Sequence, residues 1–214
     1  MMAQSGVYSS NIVGYATVSI PPGYSLLANP LSAGITNGAN EIMPVLDGEA
    51  ILTWNGLFFN EVMYDSGVGG WVQADDITPA LPPSLPPGEG FFFFNPNPTA
   101  TNFTFVGQVV PGPSSTNYLR IQGGYSLIGS PLPATVAEIT NTPVNLPILD
   151  GMQILKWNGS AYVEAMYDSG ASPTPGWVEA DDTTPTTAPA YNIGEGFFFF
   201  NPSPNDSIWV QSLP

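Results

Sequence analysis

The sequence GEGFFFFNP occurs twice in this chain, at residues 88–96 and at residues 194–202. Successive side chains of a β-strand point to opposite faces, so each face of this strand carries two phenylalanines. Such a strand needs apolar surroundings on both faces, which predicts a central strand buried on both sides. The alternative is that one face lies at a contact between modules or between subunits. The phenylalanines proposed for that contact are Phe92, Phe94, Phe198 and Phe200.

The repeat extends far beyond the phenylalanines. Four further blocks recur in the same order, namely GYSLLANPL (23–31) and GYSLIGSPL (124–132), LDGEAILTWNG (46–56) and LDGMQILKWNG (149–159), MYDSG (63–67 and 166–170), and GWVQADD (70–76) and GWVEADD (176–182). We therefore predict two tandem, homologous modules at residues 13–109 and 117–214. A Pro/Gly/Ser-rich linker at 110–116 joins them, and an N-terminal extension at 1–12 precedes them.

The local signals within each module indicate β-structure. In both copies an apolar run leads into Asn-Gly and then into a second run, and Asn-Gly is the preferred centre of a type I′ hairpin. Short apolar stretches separated by turn residues supply six or seven strands per module, and no stretch has a convincing helical period. The predicted fold class is all-β, with each module an antiparallel β-sandwich or small β-barrel.

The composition removes several classes of function. The chain of 214 residues has 17 acidic and two basic side chains, a formal net charge of -15. An acidic surface is repelled by nucleic acid and by anionic membranes, so neither is an expected partner. The chain has no His and no Cys, which removes Ser-His and Cys-His catalysis and the usual zinc ligands. We expect a protein that is not an enzyme and has no cofactor, calcium excepted.

Several carboxylates recur between the copies. Calcium prefers several oxygen ligands, and two groups of aspartates flank the GW strand of each copy. Turn formation is the favoured interpretation, because Asp-Gly and Asp-Ser-Gly are ordinary turn sequences. Calcium binding remains the alternative, with the candidate ligands Asp65, Asp75, Asp76, Asp168, Asp181 and Asp182.

The tryptophans also recur, and exposed tryptophans on a β-sandwich can stack on sugar rings. Packing in the core is the simpler interpretation, because aromatic side chains bury large apolar areas. Trp54, beside the Asn-Gly turn, is the one most expected to be exposed. The candidate glycan-binding residues are Trp54, Trp71, Trp157 and Trp177.

The motif series GYSLxxxPL, LDGxxILxWNG, MYDSG, GW and GEGFFFFNP resembles a module of secreted proteins from Verrucomicrobia- and Planctomycetes-like bacteria. The resemblance covers nearly all of both predicted modules. It implies secretion and a β fold. It implies no catalytic residue, because the family is largely uncharacterised.

These observations favour an extracellular or cell-surface structural protein that assembles with copies of itself into a filament or surface layer. The apolar segment SGVYSSNIVGYATVSI (5–20) is suited to adding a strand to the sheet of a neighbour, in head-to-tail contacts. Its candidate contact residues are Val7, Tyr8, Ile12 and Val13. The alternative is a secreted carbohydrate-binding or adhesion protein whose partners are glycans.

Overall fold

A computed structural model describes residues 13–34, 36–110, 116–171 and 175–212. The described chain is all-β and antiparallel, apart from one four-residue helix, α1 (Ala39–Ile42). The first half, residues 13–110, contains seven strands, β1 (Val13–Ile20), β2 (Gly23–Ala28), β3 (Ala50–Trp54), β4 (Phe59–Asp65), β5 (Gly70–Gln73), β6 (Gly90–Asn95) and β7 (Thr101–Gln108).

Two sheets organise the first half. Five strands form one sheet in the order β2-β6-β3-β4-β5, and β1 pairs with β7 in a separate two-stranded ribbon. The first tetraphenylalanine strand, β6, lies between β2 and β3, so it is flanked on both edges. The predicted hairpin joins β3 to β4, but its turn is not of type I′, because Gly56 has positive φ and Asn55 does not. The loop covers residues 55–58, and the amide of Asn55 donates to the carbonyl of Phe58 at 3.2 Å.

The second half, residues 116–212, repeats this arrangement. Its strands are β8 (Thr116–Ile121), β9 (Gly124–Ile128), β10 (Gln153–Trp157), β11 (Tyr162–Asp168), β12 (Gly176–Val178), β13 (Pro185–Thr186), β14 (Phe197–Asn201) and β15 (Ser207–Ser212). The large sheet has the order β13-β12-β11-β10-β14-β9, and β15 pairs with β8 in a ribbon. The all-β, sandwich-like prediction is confirmed, and no sheet among the described residues closes into a barrel.

Each ribbon packs against one face of its own large sheet. In the first half, Phe91 and Phe93 of β6 are fully buried and meet Phe103 and Phe105 of the ribbon. The rings of Phe93 and Phe103 are 4.7 Å apart in an edge-on arrangement. In the second half, a separate core holds Phe197 and Phe199 of β14 together with Trp209 of the ribbon.

The opposite faces of the two large sheets pack against each other. Leu26 and Phe92 of the first half and Leu127 and Phe198 of the second form a buried central cluster, bordered by Leu52, Trp54, Phe59, Leu155 and Trp157. The order of layers is therefore ribbon, sheet, sheet, ribbon. Phe92 and Phe198 are only 6% and 7% exposed. This corrects their assignment as contacts with another subunit, because the other half of the same chain already covers them.

The two halves approach so closely at this cluster that their backbones hydrogen-bond. The amide of Ala28 donates to the carbonyl of Gly194 at 2.9 Å, and the amide of Gly129 donates to the carbonyl of Gly88 at 3.0 Å. The amide of Gly196 donates to Leu26 at 3.1 Å. A Cβ added to Gly196 would overlap the carbonyl oxygen of Leu27. The GEG sequence therefore supplies a glycine where the opposing backbone leaves no room for a side chain.

This close approach makes Gly196→Ala destabilising. The added methyl group must push the two backbones apart, so we expect the free energy of unfolding to fall by about 1–3 kcal/mol. The matched control is Gly70→Ala, because Gly70 has an ordinary φ and no atom within 4 Å of an added Cβ. We expect the control to change the unfolding free energy by no more than about 0.5 kcal/mol. Urea denaturation measures both, and equal effects would contradict the close contact.

Candidate functional site

The ribbons expose a set of apolar side chains on the faces turned away from the cores. We call these the outer ribbon faces, formed by Val13, Tyr15 and Val106 in the first half and by Tyr118, Ile208 and Val210 in the second. Tyr15 is 80% exposed and Tyr118 is 66% exposed. Each tyrosine lies directly opposite a valine of the neighbouring strand, Val106 and Val210 respectively. Neighbouring cross-strand pairs of this kind form continuous apolar surface.

The strand alternation of the sequence produces these faces. In β1, Ala16, Val18 and Ile20 face the core, so the alternate residues Val13, Tyr15, Thr17 and Ser19 point outward. Strands β1, β7 and β15 contain no charged residue, and the one in β8 is Arg120, which forms a salt bridge with Asp206. The outer ribbon faces therefore carry no carboxylate except Asp206 at the border of the second face, which is paired with Arg120, in a chain whose net charge is -15.

The ribbon edges are also available for pairing. Each ribbon has only two strands, so each strand keeps one edge without a strand partner among the described residues. The exception is a single bridge between Ser32 and Gln108. Long edge strands without charged residues are sites where a further strand can add to a sheet.

The predicted N-terminal contact residues are divided by the limit of the described structure. Val7, Tyr8 and Ile12 lie outside the described residues. Val13 is the first residue of β1 and is 68% exposed, but its backbone is opposite Gln108 of the same chain. The suggestion that residues up to 20 are donated to a neighbour is therefore corrected for 13–20, which pair within their own chain.

The remaining phenylalanine candidates lie at the ends of their strands. Phe94 and Phe200 are partly buried, and each packs against a tyrosine of the adjacent strand. The ring of Phe94 is 5.0 Å from that of Tyr24, and the ring of Phe200 is 4.9 Å from that of Tyr125. Both tyrosines are more than one third exposed, so these two pairs border the surface.

Trp54 and Trp157 lie at the contact between the halves and not at free hairpin tips. The indole N–H of Trp54 donates to the carbonyl of Tyr125 at 3.1 Å, and that of Trp157 donates to the carbonyl of Tyr24 at 2.9 Å. Their rings meet Phe198 and Phe92 edge-on, at 5.4 Å and 5.5 Å. The expectation that Trp54 projects from a tip is corrected, because its ring borders the central cluster.

The other two tryptophans belong to the GW strands. Trp71 is only 4% exposed, and its indole N–H donates to Asn40 at 2.8 Å, which corrects its assignment as a surface for sugars. Trp177 is partly buried against Tyr167. It lines an open cleft of about 460 Å³ with Asp168 and Asp182.

The six candidate calcium ligands do not converge. Asp75 and Asp181 each accept a hydrogen bond from a threonine hydroxyl, of Thr78 and Thr184 respectively, and from the backbone amides of the second and third residues after them. The hydroxyl bonds first, and then the backbone bonds, hold the pKa of both carboxyls below the usual range. Asp65 and Asp168 accept from Gly67 and Gly170 in the same way. Asp76 and Asp182 have positive φ in these turns. Over the described ranges no group of three or more acidic side chains is placed to hold a metal. These aspartates build turns.

Two equivalent clefts lie where the halves meet. Cleft 1, of about 330 Å³, is lined by Trp54 and Glu89 of the first half and by Arg120, Tyr125 and Ser126 of the second. Cleft 2, of about 310 Å³, is lined by the equivalent Trp157 and Glu195 and by residues of β1 and β2. Both therefore combine a tryptophan, the adjacent Asn-Gly turn and the glutamate of GEG. Sequence reasoning did not identify these clefts, because each is built from both halves.

A buried carboxyl group, Glu49, also escaped the sequence analysis. It is fully buried, and its Oε2 accepts the amide of Leu46 at 2.8 Å, whereas its Oε1 has no partner. Burial raises the pKa of Glu49 to about 7. The second half has Met152 here, whose Sδ accepts the amide of Leu149 at 3.1 Å. This site is sensitive to pH because position 49 carries an ionisable carboxyl group where the second half has a neutral thioether.

Comparison with known proteins assigns neither a family nor a function to this chain. The chain matches no protein-family model, and no curated protein or solved structure matches it. The resemblance to secreted bacterial modules therefore stays a prediction. In the part of the chain that the structure describes, no helix has the length and apolar character needed to cross a membrane.

Because of Glu49, we expect the free energy of unfolding to fall as the pH rises from about 4.5 to 7. In this window the unfolded chain releases the proton that the native state keeps, because the native pKa is raised. The contribution of Glu49 to stability is therefore greatest below the unfolded pKa, falls through this window and levels off above pH 7. We expect Glu49→Met to reduce this slope and to stabilise the protein at pH 8 by about 1–3 kcal/mol.

The reverse exchange is the matched control. Met152→Glu places a second carboxyl group in the equivalent buried position, so we expect it to steepen the same slope. Chemical denaturation at pH 4.5, 6 and 8 measures both variants. Glu89, whose pKa burial also raises to about 7, contributes to the slope of every variant alike. A Glu49→Met slope equal to that of the wild type would contradict the assignment.

Proposed function

We propose that this protein is an extracellular or cell-surface structural protein without catalytic activity, which assembles with copies of itself. Each half is one copy of a duplicated β module, and each module contributes one ribbon to the contacts between molecules. The absence of His and Cys from the sequence supports a role that is not catalytic.

The outer ribbon faces are the observation that carries this proposal. Each lies on the far side of its ribbon from the central cluster, so one molecule presents two similar apolar surfaces in different directions. A molecule with two such surfaces can contact two neighbours, and contacts that do not close into a ring produce a filament. Exposed, uncharged ribbon edges add backbone hydrogen bonding to the apolar contact.

The charge distribution supports the same arrangement. Copies with a charge of -15 repel each other, and the repulsion is weakest where the approaching surfaces contain no carboxylate. The outer ribbon faces come close to that condition, because the one carboxylate beside them, Asp206, is paired with Arg120. Salt screens the repulsion between the remaining acidic surfaces, so assembly should be favoured by higher ionic strength or by divalent cations.

The N-terminal extension has a defined place in this proposal. Residues 1–12 lead directly into β1 at Val13, which lies at an open ribbon edge. We propose that this extension, with Val7, Tyr8 and Ile12, adds a strand to the ribbon of a neighbouring molecule.

The alternative of glycan binding is less supported by the geometry. Trp54 and Trp157 use their indole N–H groups within the chain, and their rings border the central cluster. A sugar-binding tryptophan needs a free ring face. Trp177, beside its open cleft, is the one candidate tryptophan that keeps a place on a cleft away from the central cluster.

The outer ribbon faces are tested by introducing charge at the two tyrosines. We expect Tyr15→Glu combined with Tyr118→Glu to remain monomeric under conditions in which the wild type polymerises, because the new carboxylates repel the approaching copy. The matched control is Leu81→Glu, at a loop position that is 84% exposed and outside both ribbons. Electron microscopy and light scattering measure assembly.

The single variants distinguish how the ribbons pair. If like faces pair, Tyr15→Glu alone leaves one working face and gives dimers, whereas pairing of unlike faces leaves only monomers. Wild-type protein that stays monomeric at every salt and calcium concentration would overturn the proposal. Equal loss of assembly in Leu81→Glu would show that added charge acts without regard to position.

The extension is tested by deleting residues 1–12. We expect the shortened protein to keep the thermal transition of the full chain, because both cores are built from residues 16–209, and to lose filament formation. The comparison is made at equal concentration and ionic strength by electron microscopy. Filaments of normal length and abundance from the deletion variant would refute strand addition.

A further inference from the structure

Glu89 in cleft 1 and Glu195 in cleft 2 occupy equivalent positions but have different side-chain partners. Lys156 does not itself line cleft 2, but its ammonium lies 2.7 Å from Oε1 of Glu195 and donates to the carbonyl of Ala190 at 2.8 Å. The backbone amide and the side-chain amide of Asn192 donate to Oε2 of the same glutamate. The position equivalent to Lys156 in the first half is Thr53, which follows from the aligned sequences ILTWNG and ILKWNG. Glu89 of cleft 1 therefore lacks the cation that its copy has.

No other basic side chain compensates for this difference. The chain has only two basic residues, and the second, Arg120, forms its salt bridge with Asp206 although it lines cleft 1. Glu89 has no hydrogen-bond partner for its side chain among the described residues, and it is partly buried next to Ile128, with which it forms a backbone bridge. A carboxylate in this position loses part of its hydration and gains no hydrogen-bond partner in exchange. A bound cation would compensate for that desolvation.

We propose that cleft 1 binds a primary ammonium group on an alkyl chain, held by the carboxylate of Glu89. The chain itself contains the precedent, because the same glutamate in the other half holds the ammonium of Lys156. Trp54 and Tyr125 line the cleft, and the apolar edges of such side chains suit the alkyl chain of an amine better than a hydrated metal ion. The volume of about 330 Å³ suits a small amine or one lysine side chain of a peptide.

Two further properties agree with a cationic ligand. Burial raises the pKa of the Glu89 carboxyl to about 7, as expected for a desolvated acid without a cation beside it. The net charge of -15 concentrates cations near the whole surface. A metal ion is less suited, since no group of three acidic side chains forms in the described chain. This inference does not depend on assembly through the ribbons.

The test titrates the full-length protein with n-butylammonium chloride at pH 8 in about 150 mM salt, by calorimetry and by NMR. We expect one site per chain and no binding of n-butanol, the neutral analogue. Glu89→Gln should weaken binding at least tenfold. Thr53→Lys should abolish it, because the new lysine reproduces the pair that Lys156 makes with Glu195.

The reciprocal variant provides a gain of binding. Lys156→Thr frees Oε1 of Glu195, while Oε2 keeps its hydrogen bonds from Asn192. We therefore expect the stoichiometry to rise from one amine to two per chain. Unchanged affinity in Glu89→Gln, or undiminished binding in Thr53→Lys, would overturn the proposal, and so would equal binding of n-butanol. If Glu89→Gln fails to fold by circular dichroism, Thr53→Lys decides the question, since it adds a group already tolerated in the other half.

Discussion

The packing of Phe92 and Phe198 between the two large sheets determines how the rest of the chain is arranged. Each of these phenylalanines meets a tryptophan of the opposite half edge-on, and each tryptophan donates a hydrogen bond to the opposite backbone. This contact occupies one face of both sheets. The ribbons must then cover the other faces, which is why each half has a core of its own as well as a share of the central cluster.

Much of this fold follows from the sequence. The Asn-Gly hairpins, the antiparallel β class and the double-sided burial of the tetraphenylalanine strands are consequences of turn chemistry and strand alternation. The sequence does not predict what covers the second face of each tetraphenylalanine strand, the face that carries Phe92 or Phe198. A strand has the same alternation whether Phe92 meets another half or another molecule, so only the three-dimensional structure distinguishes these cases.

The sequence is equally unable to decide the roles of the candidate site residues. An Asp-Ser-Gly sequence has the same letters in a turn as in a calcium loop, and at Asp65 the structure shows the turn. Trp54 follows an apolar run in either setting, and its burial depends on Tyr125, 71 residues away. The two clefts cannot be predicted from sequence, because each is lined by residues of both halves. The differences between the copies at Thr53 and Glu49 are visible in the sequence, but only the structure shows which groups surround these positions.

The positions of the two basic residues also affect how the chain can be degraded. Arg120 lies in β8 and Lys156 in β10, each paired with neighbouring strands and with its charge held by a carboxylate. Proteases that cut after lysine or arginine need an extended, accessible segment, and a paired strand does not supply one. Digestion by such enzymes must therefore wait for the strand to open. The lifetime of the protein in their presence therefore depends on how often these strands open, and not only on the concentration of the protease.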